Sequence, residues 1–306
     1  MDEQRWSADQ MSDQSQRVFV VTGASSGLGL ASVRALVARG AHVVLAVRDP
    51  EKGRAAVAGL PDGQVEVRRL DLADLTSVRA FAAGLRADHP RVDVLMNNAG
   101  ILAPPRTLSP QGHESQFATN HLGHFALTGL LLDALDGPDP RVVTVSSLNH
   151  RRGRIDFDDL TGERGYAPAR FYNRSKLANT LFGLELHRRL AAAGSPVRSV
   201  LAHPGYSATR LQTNGATGLQ RLLFGCLARP LAQSAARGAL PQLYAATEPG
   251  VRGGEFIGPD GRGELKGAPT RVEPAPRALD TEVARRLWDV SQELTGVRFP
   301  LPTSVG

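Results

Sequence analysis

Residues 18–29 read VFVVTGASSGLG. The first half is an uninterrupted apolar run, which is typical of a parallel strand covered on both faces. Glycines follow at Gly23, Gly27 and Gly29, and the pattern over residues 28–39 is helical. Glycines in a turn from a strand into a helix let the backbone approach a phosphate, and the helix N-terminus offers free N–H groups. The stretch therefore predicts a nucleotide-binding turn. Its G-x-x-x-G-x-G spacing differs from the usual G-x-G-x-x-G, and a purely structural tight turn is the alternative.

Short β-branched runs alternate with helical patterns along the rest of the chain. This alternation predicts a single doubly wound α/β domain of the Rossmann type, with a mostly parallel, seven-stranded sheet and helices on both faces. We expect the domain to span residues 17–306, with residues 1–16 disordered and residues 205–231 forming a mobile substrate flap. The predicted strands are 18–23, 41–48, 65–72, 92–100, 141–147, 197–204 and 253–258, and the predicted helices are 28–39, 50–60, 75–88, 116–135, 171–193, 234–246 and 281–295.

Composition argues against several classes of protein. The 306 residues contain no run of about 18 apolar residues, and the polar first sixteen residues lack the features of a signal peptide or membrane anchor. The net charge of +6 comes mostly from arginine, because only three of the 36 basic residues are lysine, and the arginines are scattered along the chain. Scattered arginines do not form a nucleic-acid surface. Cys226 is the only cysteine, so no internal disulfide can form. We expect a cytoplasmic protein that binds no nucleic acid and carries no membrane anchor.

A tyrosine and a lysine lie four residues apart on the predicted helix 171–193. Tyr172 and Lys176 therefore share one face of that helix. An ammonium group near a phenol lowers a pKa that starts near 10, so the tyrosine can exchange a proton with an alcohol or carbonyl. The alternative, an incidental surface pair, is rare by chance because the chain has only three lysines. Ser147 ends the fifth strand, at the sheet edge where ligands bind, and its hydroxyl can either hold a substrate oxygen or cap a turn.

Several motifs, in the correct order, resemble the short-chain dehydrogenase/reductase family over roughly residues 17–300. The segment TGASSGLG (22–29) is similar to that family's cofactor loop, and NNAG (97–100) is similar to its strand-four signature. The segment PGYSAT (204–209) is similar to the one whose threonine meets the nicotinamide carboxamide. The resemblance implies an oxidoreductase that interconverts an alcohol and a ketone or aldehyde by hydride transfer.

The resemblance also implies a catalytic tetrad. Tyr172 would be the general acid–base, and Ser147, rather than its neighbour Ser146, would orient the substrate oxygen. Lys176 would lower the pKa of the tyrosine and hold the nicotinamide ribose. Asn120 would perturb its helix and position a water in a proton relay; a polar residue inside a helix is its simpler interpretation.

The implied cofactor is NADP(H), with NAD(H) as the alternative. Members of the family that select NAD usually carry an acidic residue at the end of the second strand, where this chain has Arg48 followed by Asp49. An arginine there suits a 2′-phosphate, whereas Asp49 would weaken that preference if it faced the ribose. The implied cofactor-binding residues are Gly23, Ser25, Ser26, Gly27, Leu28, Gly29, Arg48, Asp71, Leu72, Asn98, Ala99, Gly100, Tyr172, Lys176, Pro204, Gly205 and Thr209.

Finer features are similar to the retinol dehydrogenase-like and WW-domain-oxidoreductase-like branch, in particular FATNHLGHFALT (117–128) and YNRSKLAN (172–179). The expected substrate is then a small molecule, a lipophilic carbonyl compound or alcohol. Two other functions stay open: a non-catalytic, cofactor-sensing regulator, and a light-dependent enzyme like protochlorophyllide reductase. We expect no metal site, since His121 and His124 have no further ligands nearby in sequence. The protein is expected to be a monomer or a homodimer.

Overall fold

The computed structural model describes residues 5–206 and 233–301. All seven predicted strands form, each shorter than predicted, and the seventh begins three residues later than predicted. The strands are β1 (Val18–Thr22), β2 (His42–Val47), β3 (Val65–Arg69), β4 (Val94–Asn97), β5 (Arg141–Val145), β6 (Arg198–Ala202), β7 (Phe256–Pro259) and β8 (Pro269–Arg271). They form one sheet in the order β3-β2-β1-β4-β5-β6-β7-β8, in which only the last pair is antiparallel.

The helices lie between the strands, as the alternation predicts. They are α1 (Gly27–Val37), α2 (Pro50–Val57), α3 (Leu75–Asp88), α4 (Ser115–Phe117), α5 (Gly123–Leu131), α6 (Pro168–Ala192), α7 (Ala235–Gly238), α8 (Leu240–Thr247) and α9 (Thr281–Thr295). A π-helical turn over Ala118–Leu122 joins α4 to α5, so the single helix predicted over 116–135 is interrupted there. The α/β architecture and the single domain of the Rossmann type are confirmed.

Among the residues that the structure describes, the sheet has eight strands rather than the seven predicted. The extra strand, β8, is only three residues long and lies within a stretch rich in proline and glycine that indicates a loop. Its first residue, Pro269, pairs with Pro259 at the sheet edge, where a missing N–H donor is tolerated. Pairing with a neighbour distant in sequence, rather than local pattern, creates this strand.

Helices cover both faces of the sheet. On one face α3, α5 and α9 contribute Phe81, Phe125 and Trp288 to the core. On the other face α1 and α8 contribute Leu36 and Leu243. Strand order reverses between β1 and β4, because β2 and β3 extend to one side and β5 to β7 to the other. Connections leave the two central strands in opposite directions, which opens a crevice at their C-terminal ends.

Residues 5–16 pack against the domain, which differs from the expected disorder. The Trp6 ring lies edge-on to Tyr244 of α8 with centroids 5.2 Å apart, and its Nε1 donates to Glu248 at 3.2 Å. Met11 is buried, and the Gln14 N–H donates to the Arg39 carbonyl at 2.8 Å. A few anchoring side chains within a polar segment are sufficient to order it.

None of the helices among the described residues has the length and apolarity needed to cross a bilayer.

Candidate active site

A cleft of about 1000 Å³ opens at the C-terminal ends of the central strands. Every cofactor-binding residue implied by the sequence lines this cleft wherever it falls in the described ranges, and Ser147 lines it as well. Thr209 and most of the proposed flap, from residue 207 onward, lie outside the described residues, as does Cys226. The connection after β5 also contributes to the wall through Leu148, Asn149, Arg151 and Arg152.

The glycine turn leaves no room for side chains at two of its positions. A Cβ on Gly23, where φ is +66°, would lie 2.7 Å from the Cβ of Ala99. A Cβ on Gly29 would lie 2.6 Å from Nδ2 of Asn98 and 2.8 Å from the Cα of Ala24. Both glycines therefore allow the turn and α1 to approach the loop after β4. The α1 N-terminus has no side-chain hydrogen bond from its cap residue, Ser26, so its first N–H groups can serve an anion.

Thr22 ties the end of β1 to the loop after β4. Its Oγ1 accepts hydrogen bonds from the backbone N–H groups of Asn98 and Ala99, both at 2.9 Å. The Asn98 side chain donates in return to the Thr22 carbonyl at 2.7 Å. These bonds hold the two strands that flank the crevice in a fixed relation.

Asn120 lies in the π-helical turn and is fully buried. Its Oδ1 accepts from the Ile101 N–H at 2.8 Å, and its Nδ2 donates to the Ile101 carbonyl at 3.0 Å and to Ser175 Oγ at 2.9 Å. A Cβ on Gly100 would lie 3.3 Å from Asn120 Oδ1 and 3.5 Å from Lys176 Nζ. The asparagine therefore supports the strand-four loop from behind, next to the lysine, instead of lining the cleft.

Tyr172 and Lys176 lie one turn apart on α6 and are nearly buried, with 6% and 3% of their surfaces exposed. The Lys176 Nζ is 5.9 Å from the Tyr172 ring centroid and donates to the Val145 carbonyl at 3.2 Å. Ser147 follows β5, and a hydrogen bond joins its side chain to that of Tyr172. The neighbouring Ser146 hydroxyl instead donates to the Lys176 carbonyl at 2.9 Å. The structure therefore brings Ser147, Tyr172 and Lys176 together at the cleft. Ser146 also lines the cleft, but its hydroxyl is bound to α6.

The pKa of Tyr172 is shifted upward, whereas the sequence predicts a downward shift caused by Lys176. Burial raises it to about 12, and the hydrogen bond with Ser147 acts in the lowering direction. Burial also lowers the pKa of Lys176 to about 8. Desolvation disfavours the charged form of both groups, and at this separation it outweighs the attraction between a phenolate and an ammonium. In the chain alone, Tyr172 is a neutral phenol at neutral pH.

Two buried histidines on α5 and the turn before it have structural partners. His121 Nε2 lies 2.8 Å from Ser291 Oγ, and His124 Nδ1 donates to the Asn120 carbonyl at 3.0 Å. The two side chains bind different elements and do not converge on a common ligand position. The sequence interpretation missed His124 as a residue of the site, although its i+4 spacing from Asn120 on a buried helix was a usable signal.

His203 holds the loop that contains Pro204 and Gly205. The Gly205 N–H donates to His203 Nδ1 at 3.2 Å, and His203 Nε2 donates to the Glu264 carboxylate at 2.9 Å. Glu264 also pairs with Arg151 of the cleft wall. These hydrogen bonds hold the pKa of Glu264 at about 2, despite an opposing effect of burial. His203 thus joins the strand end to the cleft wall.

Arg48 and Asp49 have different environments in the structure. Asp49 caps α2, accepting from the Lys52 N–H at 3.2 Å and pairing with Lys52 Nζ at 3.0 Å. Arg48 is exposed and lines the cleft, and among the described residues no hydrogen bond or ion pair engages its guanidinium. A free cation and a committed carboxylate at the end of β2 are suited to an anionic ligand group.

Comparison with known proteins shows which protein family, and which branch of that family, this chain resembles. A family model described as short chain dehydrogenase matches residues 17–219. Retinol dehydrogenase 14 of Mus musculus is 40% identical over 299 residues, covering 92% of this chain and 86% of the relative. Retinol dehydrogenase 12 of Homo sapiens is 39% identical over 290 residues, covering 92% and 87%.

Solved structures share the fold. An uncharacterised protein from Mycobacterium paratuberculosis is 47% identical, with a TM-score of 0.83 and coverage of 97% of this chain and 100% of that one. A Pseudomonas aeruginosa RhlG/NADP complex is 23% identical, with a TM-score of 0.63 and coverage of 80% and 94%. The second likeness concerns the fold alone.

Proposed function

The chain belongs to the short-chain dehydrogenase family, in its retinol dehydrogenase-like branch, and is an NAD(P)-dependent oxidoreductase; on that premise we propose that it uses NADP(H) to interconvert a lipophilic alcohol and its ketone or aldehyde. The observation that carries the proposal is the convergence of Ser147, Tyr172 and Lys176 on the cleft that the glycine turn lines. The single cysteine of the chain supports a reducing, cytoplasmic setting as part of the same proposal.

The residues present fit a dinucleotide phosphate. The uncapped first turn of α1 can donate N–H groups to a pyrophosphate, as helix N-termini commonly do. Arg48 can offer two parallel hydrogen bonds to a 2′-phosphate, because nothing in the described chain occupies its guanidinium. Asp49 is bound to Lys52 at the start of α2, so its carboxylate is engaged there and does not face a ribose, where it would favour NAD(H). A bound nicotinamide nucleotide would supply the hydride donor or acceptor.

The side chains at the cleft perform the proton chemistry. Tyr172, as a neutral phenol, donates a proton to the oxygen of a carbonyl substrate during reduction, while the Ser147 hydroxyl holds that oxygen by a hydrogen bond. Lys176, whose pKa of about 8 lies near neutrality, can return a proton toward the tyrosine. Asn120 keeps the strand-four loop in place beside the lysine. Positioning and stabilisation of the developing alkoxide supply most of the rate gain.

A lipophilic substrate fits the wall of the cleft. Ile101, Leu102, Leu108 and Leu265 line it, and the last two side chains are 47% and 45% exposed. Burying such surface against a ligand is favourable in proportion to its apolar area. The names of the mammalian relatives make retinoids the first carbonyl and alcohol pair to examine.

The test is a turnover assay in the dark with purified chain. NADPH and NADH are each offered with retinal, long-chain aldehydes, steroid ketones and small polar carbonyls. We expect NADPH-dependent reduction with lower KM for the lipophilic compounds. A regulator that only senses cofactor would bind NADPH without turning over any of them, and a photoreductase would need illumination.

A further inference from the structure

Three side chains with metal-binding atoms converge at the N-terminal edge of β2 and β3, away from the cleft. His42 is the first residue of β2, and Glu66 of β3 pairs with Val44. His42 and Val44 lie on the same face of the sheet because alternate residues of a strand do, so His42 and Glu66 are diagonal neighbours. That face is the one covered by α3, and His89 directly follows the last residue of α3. The three potential ligand atoms lie within 4.8 Å of one another.

The hydrogen bonds of His42 leave one ring nitrogen as a free acceptor. Nδ1 lies 3.1 Å from the Gly63 carbonyl, which can only accept, so Nδ1 carries the proton and Nε2 presents a lone pair. Nε2 is itself buried and has no hydrogen-bond partner within residues 5–206 and 233–301. A histidine that gives its other N–H to a backbone carbonyl is in the arrangement that usually orients a metal ligand.

Glu66 supplies a supported carboxylate. One of its oxygens lies 2.8 Å from His89 Nε2, and the other accepts from the Arg68 guanidinium. Arg68 also binds Asp88 at 2.7 Å, so these three charged groups together leave one negative charge next to the histidines. The two imidazole rings have centroids 5.3 Å apart. A carboxylate that is itself hydrogen-bonded by a neighbouring group is a common feature of metal sites.

We propose that His42, Glu66 and His89 form a zinc site. Two imidazoles and a carboxylate are a donor set that zinc uses, with a fourth position open to water, whereas Mg²⁺ and Ca²⁺ prefer oxygen ligands. With ligand distances of about 2.0–2.2 Å, tetrahedral ligand atoms lie roughly 3.4 Å apart. Small side-chain rotations close the cluster from its present spacing. His89 gives up its Nε2–H hydrogen bond with Glu66, its ring proton moves to Nδ1, and the Nε2 lone pair then binds the metal. The ion would tie β2, β3 and the C-terminal end of α3 together.

The test is zinc binding by the tag-free, metal-stripped chain, measured by isothermal titration and by thermal unfolding. We expect one zinc per chain and an apparent Tm that rises by a few degrees with excess zinc, because a ligand that binds only the folded state stabilises it. Magnesium should produce no rise. His42→Gln and Glu66→Gln should each weaken zinc binding at least tenfold. His187→Gln, which changes a half-buried histidine outside the cluster, should bind as the unmodified chain does.

Failure of the unmodified chain to bind zinc would overturn the proposal, and so would equal affinity of the unmodified chain and the His42→Gln and Glu66→Gln variants. Circular dichroism and turnover without zinc check that each variant is folded, since the cluster lies away from the cleft. If His42→Gln does not fold, His89→Gln replaces it, because His89 lies after α3 and outside the sheet.

Discussion

The Thr22 hydroxyl lies 2.9 Å from Nε2 of His124. His124 Nδ1 donates to the Asn120 carbonyl, so that nitrogen holds the ring proton. Burial lowers the pKa of His124 to about 4, and the ring is therefore neutral near pH 7 with Nε2 as an acceptor from Thr22. The neutral imidazole thus links the strand end that carries the glycine turn to the π-helical turn that carries Asn120. The sequence places His121 and His124 in one predicted helix, 116–135, but does not show which residues they bind.

His124→Phe tests whether this link positions the site. The variant keeps a ring but loses both hydrogen bonds, and we expect kcat to fall by about ten- to hundredfold, since small displacements of supporting groups have effects of that size. His121→Phe is the matched control, because it removes a buried hydrogen bond to Ser291 without touching Thr22 or Asn120. Both variants should lose similar thermal stability, while only His124→Phe should lose kcat. Thr22→Ser, which keeps the hydroxyl, should retain activity; equal kcat in the two histidine variants would contradict the positioning role.

The buried histidines predict a loss of stability in mild acid. Burial lowers the pKa of His121 to about 3 in the folded chain, whereas an unfolded histidine titrates near 6.5. The unfolded state therefore binds the proton first, and the free energy of unfolding falls as the pH drops through 6.5, continuing to about 3. At pH 5 this contributes a loss of about 2 kcal/mol from one such group.

Urea unfolding at pH 7.5 and pH 5.0 measures that loss. His121→Phe should reduce the difference between the two pH values, because the titrating ring is gone. Ser291→Ala removes the same hydrogen bond but keeps the imidazole, so its pH dependence should match the unmodified chain. An unchanged difference in His121→Phe would show that this histidine does not carry the effect.

Tyr172→Phe should abolish turnover and leave the Kd for NADPH within a few-fold. The phenol oxygen transfers the proton, whereas the ring only packs in the cleft. Loss of general acid–base catalysis normally costs 10²–10⁴-fold. Tyr244→Phe, at a tyrosine that packs on Trp6, is the control and should turn over normally. More than about a tenth of the original kcat in Tyr172→Phe would exclude this residue as the proton donor.

Arg48→Ala should raise the Kd for NADPH by roughly ten- to hundredfold and leave the Kd for NADH nearly unchanged. The range corresponds to hydrogen bonds with a charged group, which contribute about 1.5–3 kcal/mol. Arg54→Ala removes a surface arginine that pairs with Glu51 and should alter neither constant. Equal losses for both cofactors would mean that Arg48 does not contact the 2′-phosphate.

Local patterns were sufficient for most of the fold. The helix over 75–88 forms as predicted because Asp74 caps it and its apolar spacing is regular. The motifs at strand ends also placed the cleft residues, since parallel strands bring their C-terminal ends to one edge. The strand at Pro269–Arg271 and the packing of Trp6 depend on partners remote in sequence, and no local pattern indicates them.

Charge states were harder to predict than positions. The spacing of Tyr172 and Lys176 correctly indicates that they share a helix face, but it contains no information about burial. Desolvation sets the sign of the Tyr172 pKa shift, and it depends on every element packed around α6. The same is true of His124, whose neutral state follows from complete burial.

The docked N-terminal segment gives the chain two separate optical reporters. The sequence has two tryptophans, and Trp6 packs on the side of the sheet that holds α1 and α8, whereas Trp288 lies in the core on the opposite side. Indole emission shifts when water reaches the ring, so Trp6→Phe leaves a signal from the α9 side alone and Trp288→Phe leaves one from the amino-terminal side. Comparing the two emission curves in denaturant would reveal whether the two layers of the domain come apart together or one after the other.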